Sequence, residues 1–152
     1  MGGIAASLER GAHLVGTYLE SAIGELELTQ GEANILALLG RRGPLSIATL
    51  HHEFGHKRST LTNILDRLEA RKLVRRELNR NDRRSLIVHL TAPGRRTARR
   101  VTRALDTLEK QLNARVGPGD VDGVDTVVAA LAEISRPANL PTTPSRRSAP
   151  AS

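Results

Sequence analysis

The side chains best placed for chemistry in this sequence are cations and hydrogen-bond donors rather than nucleophiles. Lys57, Arg58, Ser59, Thr60, Thr62 and Asn63 fall within one seven-residue stretch. They are interleaved with Leu61, Ile64 and Leu65, whose helical spacing buries one face and turns the polar set outward. Arg can pair bidentately with guanine and Asn with adenine, and Ser or Thr can reach phosphates or thymine methyls. A second group, Arg80, Arg83 and Arg84, surrounds Asp82 in the polar block Asn79–Ser85. Guanidinium groups on an exposed loop suit the narrow, electronegative minor groove and its flanking phosphates. The plain alternatives are helix capping by Ser59 and Thr60, and a solvated hairpin whose charges blunt an edge.

Metal and catalytic chemistry find no comparable support. The chain has five His and no Cys, which removes disulfides, thiolate zinc sites and thiol redox switches together. His51-His52-Glu53 is the single cluster, but neighbouring side chains on a helix diverge by about 100°. His52 and His56 stand four apart with the helix-breaking Gly55 between them. No metal and no cofactor are therefore expected. Asp66, Arg67, Glu69 and Arg71 alternate in charge along one helix and read as surface ion pairs. There is no nucleophile elbow, P-loop or dinucleotide-binding glycine pattern, so the chain is not read as an enzyme.

Composition narrows the partner. Of the 23 Lys and Arg, 17 lie between Arg41 and Arg103 against five acids, while the remainder holds six bases and eleven acids. Basic charge confined to one module is the footprint of a surface that faces a polyanion. One Phe, one Tyr and no Trp leave little surface for the base stacking that single-strand and RNA binders favour. No apolar run approaches the ~20 residues of a membrane span, and Met1–Ser7 lacks the pattern of a secretory signal. The expected location is the reducing cytoplasm.

The elements that must position these residues follow from periodicity and caps. Residues 5–24 form a helix with Leu8, Leu14, Val15, Leu19 and Ile23 on one stripe. Thr29 and Glu32 have capping-box spacing ahead of a helix carrying Ala33, Leu36, Ala37 and Leu39. Ser46 caps a short helix bearing Ile47, Leu50 and Phe54, which Gly55 breaks. A longer helix runs from about Lys57 to Lys72, with Leu61, Ile64, Leu65 and Leu68 inward. Two helices joined through a Gly-containing turn match a helix-turn-helix. Strands at Leu73–Leu78 and Leu86–Leu90 flank Asn79–Ser85 as a hairpin. Thr91 is an N-cap for a long helix to about Val116, and Asp120 caps a last helix with Val121, Val124, Val127, Val128 and Leu131 on one face. Residues 136–152 are too poor in large apolar groups to order themselves.

This succession of elements over residues 5–135 resembles the MarR family, the multiple antibiotic resistance regulators. The resemblance is carried by Asp82-Arg83-Arg84-Ser85, similar to that family's D-x-R-S wing pattern. It is supported by Ser59-Thr60-Leu61-Thr62, by Leu68-Glu69 followed by Leu73-Val74-Arg75-Arg76, and by Leu90-Thr91 followed by Gly94. It implies a mainly α fold with a small β-hairpin wing: a winged helix-turn-helix over 29–91, with helical dimerisation regions at 1–28 and 92–135. It further implies that Asp82 orders the wing, by pairing with a nearby Arg or with turn amides. Two features depart from the family. The first helix is short at its N-terminus, which thins the expected interface, and Lys72 stands where the family has Gly before Leu-Val.

The expectation for function is a homodimeric regulator that binds double-stranded DNA at a pseudo-palindromic operator, as a repressor. By the resemblance, a small-molecule effector in the cleft between dimerisation helices and DNA-binding lobe releases it. The competing readings are a nonspecific architectural DNA-binding protein and a winged-helix protein-interaction module. Arg95, Arg96, Arg99, Arg100 and Arg103 on the long helix are read as a solvated basic face as readily as an attractive one.

Overall fold

The computed structural model describes residues 2–55 and 57–135. Six helices and a three-stranded sheet are formed: α1 (Ile4–Ile23), a single 3-10 turn (Gly24–Leu26), α2 (Gln30–Arg42), β1 (Leu45–Ser46), α3 (Ile47–Phe54), α4 (Arg58–Ala70), β2 (Val74–Leu78), β3 (Leu86–Leu90), α5 (Ala92–Asn113) and α6 (Pro118–Ile134). The described residues divide into two compact units that part between Lys110 and Gln111.

Local chemistry accounts for most of the boundaries. Thr29 Oγ1 accepts the Glu32 amide at 3.2 Å and Glu32 Oε2 accepts the Thr29 amide at 3.2 Å, closing the capping box of α2. Ser46 Oγ accepts the Thr49 amide at 3.1 Å to start α3. Gly55, at φ 61°, ends that helix in the left-handed conformation that glycine adopts without steric cost. At the start of α5, Thr91 Oγ1 accepts the Gly94 amide at 3.0 Å.

α2 is buried on two faces and so divides the core of the first unit. Ile35, Leu36 and Leu39 pack with Leu50 of α3, with Leu61, Ile64, Leu65 and Leu68 of α4, and with Val74 and Val88 of the sheet. The small side chains Ala33 and Ala37 admit Leu19 and Ile23 of α1 and Val101 and Ala104 of α5 on the other face. Tyr18 tethers α1 to α5 by donating its hydroxyl to the Ala104 carbonyl at 3.2 Å.

The sheet order is β1-β3-β2, antiparallel throughout, with Val88 of the central strand opposite both Leu45 and Arg76. Three differences from the sequence expectations stand out. β1 was not foreseen: its two residues become a strand only because β3 lies beside them, and the same Ser46 then caps α3. Asp120 is not the cap of α6 but its third residue. Gly117 occupies the cap position with Pro118 following, and Asp120 Oδ2 reaches back to the Gly117 amide at 2.8 Å. The charges of α4 do not pair with one another. Arg67 pairs with Glu32, and Asp66 and Glu69 pair with Arg76, because partners on packed neighbouring elements offer better geometry than a helix's own next turn.

In the second unit, α6 leaves Val121, Val124, Val128, Leu131 and Ile134 exposed. Among the described residues no helix is long and apolar enough to cross a membrane. The disorder expected for residues 136–152, and the part of the histidine argument that involves His56, lie outside the described residues.

Candidate nucleic-acid interface

α4 presents two unlike faces. Leu61, Ile64, Leu65 and Leu68 are buried. Arg58, Ser59, Thr60, Thr62 and Asn63 are exposed, as is Lys57 at the cap position. The helix begins at Arg58, so Ser59 and Thr60 lie in its first turn rather than at its cap, and no side chain caps it. Lys57 and Arg58 stand at the positive end of the helix dipole, where cations are unfavourable by some tenths of a kcal/mol each. With first-turn amides uncapped and basic side chains beside them, this end of α4 is suited to an anion.

The hairpin sorts its arginines by position. At the stem, Arg75 pairs with Glu77, and Arg76 bridges Asp66 at 2.7 Å and Glu69. Burial would lower the Arg76 pKa, but the two carboxylates outweigh it and raise the guanidinium above its ordinary value. At the turn, Arg80, Arg83 and Arg84 are exposed, and among the described residues their guanidinium groups have no ion pair.

Asp82 builds the turn that carries them. Its Oδ1 accepts the Arg84 amide at 3.0 Å, and its carbonyl accepts the Ser85 amide at 3.0 Å and the Ser85 hydroxyl at 3.1 Å. Asn79 contributes a similar bond, Oδ1 accepting the Asn81 amide at 3.0 Å. These bonds brace the seven-residue loop Asn79–Ser85 from within.

Behind the hairpin lies a cavity of about 360 Å³, lined by Leu39, Leu90 and Ala98 with Arg75, His89, Arg95 and Arg99. His89 faces Arg75 across the β2–β3 ladder and lies 3.2 Å from Glu77. Burial of the ring, followed by the charge of Arg75, pushes the His89 pKa below its ordinary value of 6.5. Among the described residues no group of three His, Asp or Glu is placed to hold a metal ion.

The six polar residues near the start of α4 thus occupy one exposed helix end, and Arg80, Asp82, Arg83 and Arg84 occupy the hairpin turn. Sequence reasoning missed the long-range partners that fix these two surfaces: Arg67 for Glu32, whose capping-box role it did find, the Leu26 and Glu27 carbonyls for Arg71, and Asp66 and Glu69 for Arg76. The signal for the α4 charges was their alternation, which local spacing assigned to the wrong partners.

Comparison with known proteins agrees with this geometry. Residues 28–86 match the MarR family model. The chain is 34% identical over 67 residues to the uncharacterized HTH-type transcriptional regulator YfiV of Bacillus subtilis (strain 168), covering 44% of this chain and 42% of that protein. It is 34% identical over 94 residues to the HTH-type transcriptional regulator PecS of Dickeya dadantii (strain 3937), covering 60% and 57%. The chain therefore spans about half the length of the curated relatives it matches. The transcription regulator MarR from Oenococcus oeni PSU-1 has the same fold, with a TM-score of 0.76 over 86% of this chain and 99% of that one at 21% identity. The segment similar to the MarR family thus holds the helix-turn-helix, β2 and the hairpin turn, and stops as β3 begins.

Proposed function

We propose that the protein is a transcriptional regulator that reads specific double-stranded DNA as a homodimer, most simply as a repressor, in the cytoplasm. The observation that carries this reading is the division of charge. Arg41, Arg42, Arg67, Arg75, Arg76 and Arg100 are each matched to a carboxylate. Among the described residues Lys57, Arg58, Arg80, Arg83 and Arg84 have no such partner, and they sit on the two elements that a winged helix offers to DNA; Lys72 and Arg95, Arg96, Arg99 and Arg103 of α5 are likewise without one. Lys57, Arg58, Ser59, Thr60, Thr62 and Asn63 face the major groove. Arg80, Arg83 and Arg84 reach the minor groove and its phosphates, and Asp82 holds the turn.

Residues 1–28 and 92–135 join two copies, which the exposed apolar side chains of α6 support. The dimer sets the two recognition helices about 34 Å apart, one turn of the duplex. The cavity containing Arg75, Arg95 and Arg99 supports an effector of organic-anion type, which acts only if it binds two helix spacings with different affinity.

Fluorescence anisotropy with the duplex upstream of the protein's own gene and with a scrambled duplex, across a salt series, tests this reading. A specific regulator binds the native duplex orders of magnitude tighter, and Arg84→Ala weakens that binding and lowers the salt slope by about one. Equal, steeply salt-dependent affinity for both duplexes assigns an architectural role instead. Absence of binding at low salt refutes the DNA reading and favours protein docking.

A further inference from the structure

α4 is held by guanidinium groups on two flanks, and one flank ties it to the α1–α2 turn. Arg67 Nε donates to Glu32 Oε1 at 2.7 Å, while the other oxygen of that carboxylate accepts the Thr29 amide at 3.2 Å. Glu32 is 3% exposed. One turn further, at the C-cap of α4, Arg71 forks across two backbone carbonyls, those of Glu27 at 2.9 Å and Leu26 at 2.8 Å. These carbonyls end the 3-10 turn, where Glu27 takes the left-handed conformation at φ 50°, ψ 46°. Carbonyls at such a terminus lack helical partners and carry the negative end of the dipole, so a forked cation satisfies both needs. Packing closes the same seam: a Cβ on Gly31 would stand 2.9 Å from Ile64 Cδ1. On the opposite flank Arg76 grips Asp66 and Glu69.

From this geometry we infer that Arg67 and Arg71 are positioning residues: they set the rotation of α4 from the α1–α2 turn. Base reading by Arg58–Asn63 then depends on the buried Glu32 and on two backbone carbonyls. The functional consequence rests on the DNA-reading proposal above, whereas the positioning itself does not. A phosphate contact behaves differently. Its loss lowers the salt slope by about one, and lysine largely replaces it. A fork across two carbonyls needs the planar guanidinium, and a lysine point charge does not reproduce it.

The test uses the full chain and the variants Glu32→Gln, Arg71→Lys and Arg71→Met. Glu32→Gln keeps an acceptor for the capping box while removing the charge that Arg67 grips. Residual dipolar couplings of backbone amides report the orientation of α4 against α2 and the sheet. Anisotropy reports the ratio of native-duplex to scrambled-duplex affinity and its salt slope. The expected result is a reoriented α4 in all three variants, including Arg71→Lys. The affinity ratio falls about ten-fold, the size of one misaligned base contact, with the salt slope unchanged. Couplings that fit the wild-type orientation overturn the inference whatever the DNA result. So does a slope reduced by about one in Arg71→Met and restored in Arg71→Lys, which makes Arg71 a phosphate contact. A wild-type chain without preference for the native duplex overturns the DNA reading, and the couplings alone then decide the positioning. Should Arg71→Met fail to fold, Glu32→Gln and Arg71→Lys carry the test.

Discussion

Replacing Gly94 by alanine separates the structure from helix propensity by sign. Gly94 lies in the first turn of α5, and in an ordinary helix Gly→Ala stabilises by about 0.5–1 kcal/mol. Here a Cβ would stand 1.8 Å from the carbonyl oxygen of Leu73 and 2.8 Å from its carbon. Both atoms are backbone, so no rotamer relieves the overlap, and the start of β2 and the start of α5 must separate by about 1.5 Å to reach ordinary contact. That separation pulls on the bonds joining them. Thr91 N donates to Leu73 O at 3.1 Å, Thr91 Oγ1 donates to Lys72 O at 2.6 Å, and the same hydroxyl accepts the Gly94 amide. The first two span the gap, and losing both costs about 1 kcal/mol each. Displacing the buried pair Leu73 and Val74 adds a packing cost of about 1–3 kcal/mol.

The expected destabilisation is therefore about 3–5 kcal/mol, a large share of the roughly 5–15 kcal/mol typical of a folded protein. Urea unfolding followed by far-UV circular dichroism measures it. The midpoint should fall sharply with little change in slope. Unchanged or increased stability in Gly94→Ala would refute the reasoning, because it would mean that α5 and β2 are not pressed together at this point.

Three other outcomes follow from single positions. Lys72 has φ 59° where glycine is unstrained, and its carbonyl, not its side chain, makes the bond to Thr91. Lys72→Gly should raise thermal stability by about 0.5–1 kcal/mol, and a lower melting temperature would contradict this. A histidine whose folded-state pKa is depressed binds its proton more readily in the unfolded chain. The stability that neutral His89 allows is therefore present above pH 6.5 and is lost as pH falls through and below that value. Melting temperatures recorded across that range should show a decline that His89→Gln reduces, and identical profiles would contradict it. For Asp82→Ala, charge alone predicts tighter DNA binding, since an anion beside phosphates is removed. The turn geometry predicts weaker binding, since the Arg84 amide loses its acceptor, and anisotropy at fixed salt decides between the signs.

What could be read in the sequence was local. The Thr29–Glu32 capping box, the Ser46 cap, the Gly55 break and the apolar stripe of α4 each depend on residues within a few positions of one another, and the backbone realises all of them. β1 failed this test because a two-residue strand has no period of its own and exists through its pairing with β3, some 40 residues on. The end of α4 near Lys72 was placed slightly late, since strong helix formers continue past the point where Leu73 turns into the sheet. Partner choice among charges was the least legible feature. Asp66, Arg67, Glu69 and Arg71 have the spacing of intrahelical pairs, yet Glu32, Arg76 and the Leu26 and Glu27 carbonyls lie close enough to take them.

That redistribution bears on how a strongly basic chain would, on the proposed function, avoid binding polyanions indiscriminately. Arg67, Arg71 and Arg76 are spent inside the protein, on a carboxylate, on carbonyls and on two acids of α4. Each such pairing does two things. For Arg67 and Arg76 it offsets a charge that would otherwise bind any phosphate, the sequence-independent part of affinity, whereas Arg71 keeps its charge and gives up only its donors. It also fixes the helix whose exposed donors, on the function proposed above, supply the sequence-dependent part. Net charge therefore overstates the attraction to arbitrary DNA, and the unneutralised residues at the start of α4 and the hairpin turn, Lys57, Arg58, Arg80, Arg83 and Arg84, are where the salt dependence of binding should concentrate. Truncating these residues should flatten the salt slope. Truncating the paired arginines should leave the slope alone and erode the preference for the correct duplex.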